Sequence, residues 1–130
     1  MAARKGVVLG FETMETPFMD TVEKAMEYVK KIDNAYLGIY PDIGNLKNAS
    51  LLYGTSVNDD LKKGKGHLFA AHLKETVPGK YREIPFGTGH TEFKENIRCC
   101  MRWEYTGLWE NSGTRVIRTG KKICALPRAF

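Results

Sequence analysis

At 130 residues, with 42% hydrophobic and 27% charged side chains, the chain is long enough for one modest globular domain and too short for two. No apolar run approaches the roughly 18 residues needed to cross a bilayer, and Met1–Gly6 lacks the apolar stretch of a secretory signal. Three cysteines, two of them adjacent (Cys99 and Cys100), make a poor disulfide framework, so a reducing, cytoplasmic setting is expected. The net charge of +5 is unevenly spread: Leu108–Phe130 carries Arg115, Arg118, Lys121, Lys122 and Arg128 against Glu110 alone. Basic segments bind polyanions by counterion release, but this one lacks the interleaved aromatics of a single-strand groove. It reads as a divergent, poorly ordered tail (108–130), and nucleic acid is not the expected partner.

Taken in chain order, strand and helix signals alternate. Val7-Val8-Leu9-Gly10-Phe11-Glu12 reads as a buried strand, and Thr16-Pro17 as a break. Met19, Val22, Met26, Val29 and Ile32 follow the 3–4 spacing of an amphipathic helix ending at Asp33-Asn34. Tyr36–Tyr40 is a second strand, followed by the turn-rich Pro41-Asp42-Ile43-Gly44-Asn45. Leu46–Leu52 and Val57–Lys65 read as short helical stretches, and His67–Leu73 as a third strand. Thr76–Gly89 is a loop punctuated by Pro and Gly, and Phe93–Trp103 a helix with Phe93, Ile97, Cys100 and Met101 on one side. A fourth strand should follow Tyr105-Thr106-Gly107, but Trp109–Gly113 is polar and shows no clear strand pattern. This β-α rhythm implies parallel strands joined by right-handed helical crossovers. Residues 1–107 are therefore expected to form an α/β fold of three to four units, half of an eight-fold barrel or a small open sheet.

Glu12, Asp42 and His72 recur at intervals of 30 residues, each at or near the end of an apolar run. At the carboxyl ends of parallel strands they would converge where α/β proteins keep their chemistry, and they suit a divalent metal. Each has a plainer reading. Glu12 could be a strand-end acid in solvent, with Glu15 as a more exposed competitor. Asp42 could serve only the Pro-Asp-x-Gly turn, and His72 could be a hydrogen-bonded core residue. Lys74 shares the strand face of His72 and favours a polar pocket. The amides of Pro85-Phe86-Gly87-Thr88-Gly89 could approach a phosphate, although a plain turn is the default for a lone G-x-G.

Gly10-Phe11-Glu12, Pro17-Phe18-Met19, Tyr40-Pro41-Asp42-Ile43-Gly44-Asn45, His72-Leu73-Lys74-Glu75-Thr76, Val77-Pro78-Gly79 and Pro85-Phe86-Gly87-Thr88-Gly89 together resemble one family. It is that of the L-ribulose-5-phosphate (L-xylulose-5-phosphate) 3-epimerases, within the xylose-isomerase-like TIM-barrel superfamily. The resemblance runs from about Val7 to Gly107 and covers the C-terminal half of such a barrel. It implies Glu12, Asp42 and His72 as ligands of one divalent metal, Mn or Zn, with Glu12 also a catalytic base. Lys74, Gly87 and Gly89 would bind a ketopentose 5-phosphate inverted at carbon 3, the metal bridging its carbonyl and neighbouring hydroxyl. The family's fourth ligand and second acid/base is a Glu in an apolar eighth strand. Here that strand is not evident, and Glu110 falls two residues early, a displacement of about 6.6 Å along a strand. The chain alone is therefore expected to hold a metal but to epimerise poorly. A sugar isomerase acting on free ketoses and a non-catalytic half-barrel that self-associates over its open edges are the alternative readings.

Overall fold

The fold is given by a computed structural model that describes residues 2–102 and the strand 108–111. Four short strands carry the sheet: β1 (Leu9–Glu12), β2 (Leu37–Tyr40), β3 (Ala70–Leu73) and β4 (Leu108–Asn111). β1 pairs with β2 and β3 with β4, all parallel. Parallel bridges Ile39↔Leu68 and Asp42↔His72 join the two pairs, with Ile39 N–H donating to the His67 carbonyl at 2.7 Å and His72 N–H to that of Pro41 at 2.8 Å. The spatial order is thus β1-β2-β3-β4, with a helical crossover in each gap. Four parallel strands with helices over one face are half of a (β/α)8 barrel.

β4 departs from the expectation that no clear strand follows Gly107. Leu-Trp-Glu-Asn has no alternating apolar pattern, yet β3 would otherwise end the sheet with unpaired amides and carbonyls, and β4 meets them in register from Ala70↔Leu108 to Leu73↔Asn111. Of the segment read as a basic tail, 112–130 lies outside the described residues.

The helices are α1 (Val22–Ile32), α2 (Ile43–Tyr53), α3 (Val57–Lys63) and α4 (Phe93–Met101). α1 starts where Thr21 turns its hydroxyl to the Lys24 amide and ends at Asp33, in the left-handed region at φ 45°. Its apolar stripe Val22, Ala25, Met26 and Val29 is buried, whereas Ile32, expected on that stripe, is 55% exposed past its end. A second anchor comes from far along the chain. Asp60, on α3, accepts the Val22 amide at 2.7 Å and the Glu23 amide at 3.0 Å, closing the start of α1 from 38 residues away.

Strand alternation divides the sheet into two faces. Phe11, Leu37, Ile39, Ala71 and Leu73 meet Val22, Met26, Ile43, Leu46 and Leu61 in a single core between sheet and helices. Ile39, Ile43, Leu61 and Val22 are fully buried, worth about 1.5–3 kcal/mol each. The opposite face carries Gly10, Glu12, Gly38, Tyr40, Ala70 and His72, the face a complete barrel turns inward. Small residues occupy its lower layers, and the polar groups collect at its carboxyl end.

Candidate metal centre at the mouth of the half-barrel

Strand register brings the three evenly spaced residues together. Glu12 opposes Tyr40, and Asp42, two positions past Tyr40, opposes His72, so all three project from the inward face. His72 Nδ1 lies 3.1 Å from Glu12 Oε1 and 3.4 Å from Asp42 Oδ2, and one ligand atom from each residue falls within 4.8 Å of the others. Asp42 is buried, His72 is 19% exposed and Glu12 41% exposed at the side chain, so the cluster opens to solvent on the Glu12 side. The His72 ring stacks on Tyr40 at 6.0 Å between centroids.

Asp42 satisfies both readings of its motif. Its Oδ1 caps α2 by accepting the Asn45 amide at 3.0 Å, which is the turn role; its Oδ2 faces His72 and, at 3.1 Å, the Lys74 ammonium. Burial pushes its carboxyl above the usual range, against the opposing pull of the Asn45 amide, Lys74 and His72. Thr13, directly after β1, fixes the backbone beneath it: Asp42 N–H donates to Thr13 Oγ1 at 2.8 Å, and the Asn45 side-chain amide donates to the Thr13 carbonyl at 2.8 Å. Gly44 lets α2 begin hard against β3, because a Cβ there would stand 2.5 Å from the Lys74 carbonyl oxygen. Thr13 and Asn45 were not singled out in the sequence; Asn45, three residues after a capping Asp, is the one with a readable signal.

Lys74 sits where the strand face predicts. Its ammonium donates to Asn45 Oδ1 at 2.6 Å and lies 3.1 Å from Asp42 and 3.4 Å from Glu15. Glu15 in turn accepts from Arg82 Nε at 3.0 Å. Desolvation raises the Glu15 carboxyl, but Arg82 and Lys74 outweigh it and hold it below the usual value.

The glycine loop is organised differently from a phosphate cradle. The Gly87 amide donates to Glu75 Oε2 at 2.8 Å, while Glu75 Oε1 accepts the Thr91 amide at 3.0 Å and the Thr76 amide at 3.2 Å. Gly87 takes φ +80°, and Gly89 packs so close to Glu75 and the Thr76 carbonyl that no Cβ fits. Glu75 is buried; its desolvation is more than offset by these amides, which hold its pKa low. The sequence offered these amides to a ligand and gave no sign that the neighbouring Glu75 takes them.

Glu110 occupies the β4 position paired with His72.

Two carboxylates and an imidazole, with one ligand atom from each within 4.8 Å of the others, are a donor set that could hold a divalent cation. Half a (β/α)8 barrel with this cluster at the carboxyl ends of its strands defines the class, and residues 1–99 match the model of the xylose isomerase-like TIM barrel family, to which the chain belongs. Within that family it is 36% identical over 107 residues to the L-ribulose-5-phosphate 3-epimerase UlaE of Salmonella paratyphi A, and equally to that of Escherichia coli O139:H28. These alignments take in 82% of this chain and 36% of the relatives, so the chain spans about a third of their length. Among solved structures it superposes on a D-tagatose 3-epimerase-like protein with TM-score 0.71, at 23% identity over 85% of this chain and 41% of that one. On the D-allulose 3-epimerase of Methylomonas sp. the TM-score is 0.68, at 16% identity over 84% of this chain and 36% of the other. At these identities the structures establish the fold.

Proposed function

We propose that this chain is the metal-bearing half of a ketopentose-5-phosphate 3-epimerase. The observation that carries the reading is the convergence of Glu12, Asp42 and His72 on one point at the mouth of the half-barrel. Those three residues hold the divalent ion, Mn or Zn; when bound, it would withdraw electron density from the substrate carbonyl and so acidify the neighbouring C–H. Glu12, the most exposed of the three, takes the proton at carbon 3. Asp42 is fixed by the α2 cap and by Thr13, so it sets the position of the cluster rather than moving protons. Lys74, held between Asp42, Asn45 and Glu15, binds substrate oxygens beside the cluster. Inversion needs a second acid on the opposite face of carbon 3; Glu110, two residues early for the family's eighth-strand Glu, is the candidate this chain offers. The free thiols of Cys99 and Cys100 support a reducing, cytoplasmic setting.

Calorimetry with manganese and zinc, followed by an assay with L-ribulose 5-phosphate, tests the reading. Metal binding lost in Glu12→Gln and His72→Ala is the expected result; no metal binding by the parent chain would sink it. Turnover is expected to be slow, since the half-barrel leaves the substrate open to water on its uncovered side. Parallel assays on unphosphorylated ketoses separate this reading from a free-ketose isomerase.

A second reading rests on a different observation. Val7 and Val8, just before β1, and Leu9, its first residue, are each at least half exposed. Two copies that associate over this apolar segment and the open edge of β1 would bury it, and light scattering would show a dimer; a monodisperse monomer would exclude it. Among the described residues no helix is long and apolar enough to cross a membrane.

A further inference from the structure

His72 reaches the inward face through an irregularity between β2 and β3. Ile39 pairs with Leu68, and Asp42, three residues on, pairs with His72, four residues on. The β3 side therefore carries one extra residue, a bulge. Pro41 accommodates it, because it has no N–H for the bond that regular pairing would draw from it; its carbonyl accepts the His72 amide at 2.8 Å. Leu68 packs on the core side with Ile39, and strict alternation from Leu68 would send His72 the same way. The extra residue turns it over.

Turning the strand does not orient the ring. The torsion that sets an imidazole's plane is broad, and a ligating histidine commonly fixes it by donating its second ring N–H to a carboxylate or carbonyl. Here both carboxylates beside His72, those of Glu12 and Asp42, face one atom, Nδ1. They anchor an edge of the ring rather than its plane. The group that lies against its face is Tyr40, with 6.0 Å between centroids and 24° between planes, within the range of an offset-stacked pair. Tyr40 is also the register partner of Glu12, so it stands beside both of the less buried members of the cluster.

We infer that Tyr40 is a positioning residue of the metal centre: its ring sets the plane of the His72 imidazole and keeps Nδ1 aimed at Glu12 and Asp42. The inference rests on the metal-centre reading above and adds to it a residue that touches no metal.

The test is calorimetry with zinc and manganese on the intact chain, with the His72 ring followed by NMR in the metal-free state. In the parent chain, the Tyr40 and His72 rings should show a direct cross-relaxation contact. Tyr40→Leu keeps an apolar side chain at this half-buried position but no flat face, and should weaken metal binding about fivefold, the ratio that one aromatic pair is worth. Tyr40→Phe keeps the face and should bind as the parent does, which separates the ring from the hydroxyl. Without metal, the carbon-bound protons of the His72 ring should shift in Tyr40→Leu, as the ring current is lost, and hold their place in Tyr40→Phe. Unchanged affinity in Tyr40→Leu, weakened binding in Tyr40→Phe, or no contact between the two rings in the parent would each overturn the inference and leave the three-ligand reading standing. Absence of metal binding by the parent chain would sink that reading and this inference with it.

Discussion

Two carboxylates stand at the carboxyl ends of neighbouring strands, Asp42 after β2 and Glu75 after β3, and both are buried. Glu75 is surrounded by amide donors from Thr76, Gly87 and Thr91, and its pKa is held down. Asp42 has one amide donor on Oδ1, with its other oxygen turned to His72 and Lys74, and burial lifts its pKa. What differs is the supply of partners. A carboxylate saturated by backbone amides is a fastener, whereas one whose second oxygen meets only movable side chains, beside an imidazole and a second carboxylate, can exchange them for a ligand.

The largest effect that would break this contrast is at the fastener. Glu75→Ala leaves three amides without their acceptor and should cost about 2–4 kcal/mol, read from the midpoint of urea unfolding. A loss below about 1 kcal/mol would mean that the loop does not depend on Glu75.

At the other carboxylate, stability and binding should separate. Asp42→Asn keeps an oxygen able to cap α2, so stability should stay within about 0.5 kcal/mol of the parent, while manganese affinity falls at least tenfold. Asp42→Ala removes the cap as well and should cost about 1 kcal/mol more. If Asp42→Asn bound metal normally, Asp42 would be a fastener like Glu75.

Acid should dissolve the two regions in order. The raised pKa of Asp42 means the folded chain takes up its proton above the ordinary value of 3.8, and metal affinity falls as pH drops through that raised value. The lowered pKa of Glu75 means its stabilisation is complete above 4.5 and is lost only as pH falls through the depressed folded value. Calorimetric metal titrations should therefore weaken at a pH where the Gly87 and Thr91 amides are still protected from hydrogen exchange. The reverse order would contradict the contrast. The smallest expected effect is at Ile32, whose exposure in the last turn of α1 predicts that Ile32→Lys leaves the unfolding midpoint nearly unchanged.

Much of this was legible in the sequence, for physical reasons that vary by element. Strands β2 and β3 announced themselves because a strand covered by helices needs apolar side chains, and α1 because a surface helix needs a stripe; the first strand is shorter than the expected Val7–Glu12 and not buried. The meeting of Glu12, Asp42 and His72 on one face was legible because strand spacing and direction are local properties. β4 was not, since its pairing is dictated by the open edge of β3 rather than by its own composition. The Gly87 amide shows a related limit: local sequence offers an amide, and only the folded arrangement shows that Glu75 accepts it. Arg82 gave no periodic or motif signal, as its place depends on Glu15, 67 residues away.

Asp60 sets the grain size at which this architecture can be divided. A β-α unit looks like a module that could be cut, duplicated or recombined at any loop. Yet the start of α1 is sealed by a side chain on α3, in the following unit, and that carboxylate is itself buried and raised in pKa by its burial. A fragment ending before α3 would leave the Val22 and Glu23 amides without this acceptor, and a fragment beginning after α1 would leave Asp60 as a buried charge with nothing to hold. The smallest transferable piece of this chain is therefore a pair of units, and recombination between such barrels should succeed at seams that keep Asp60 with the helix it closes.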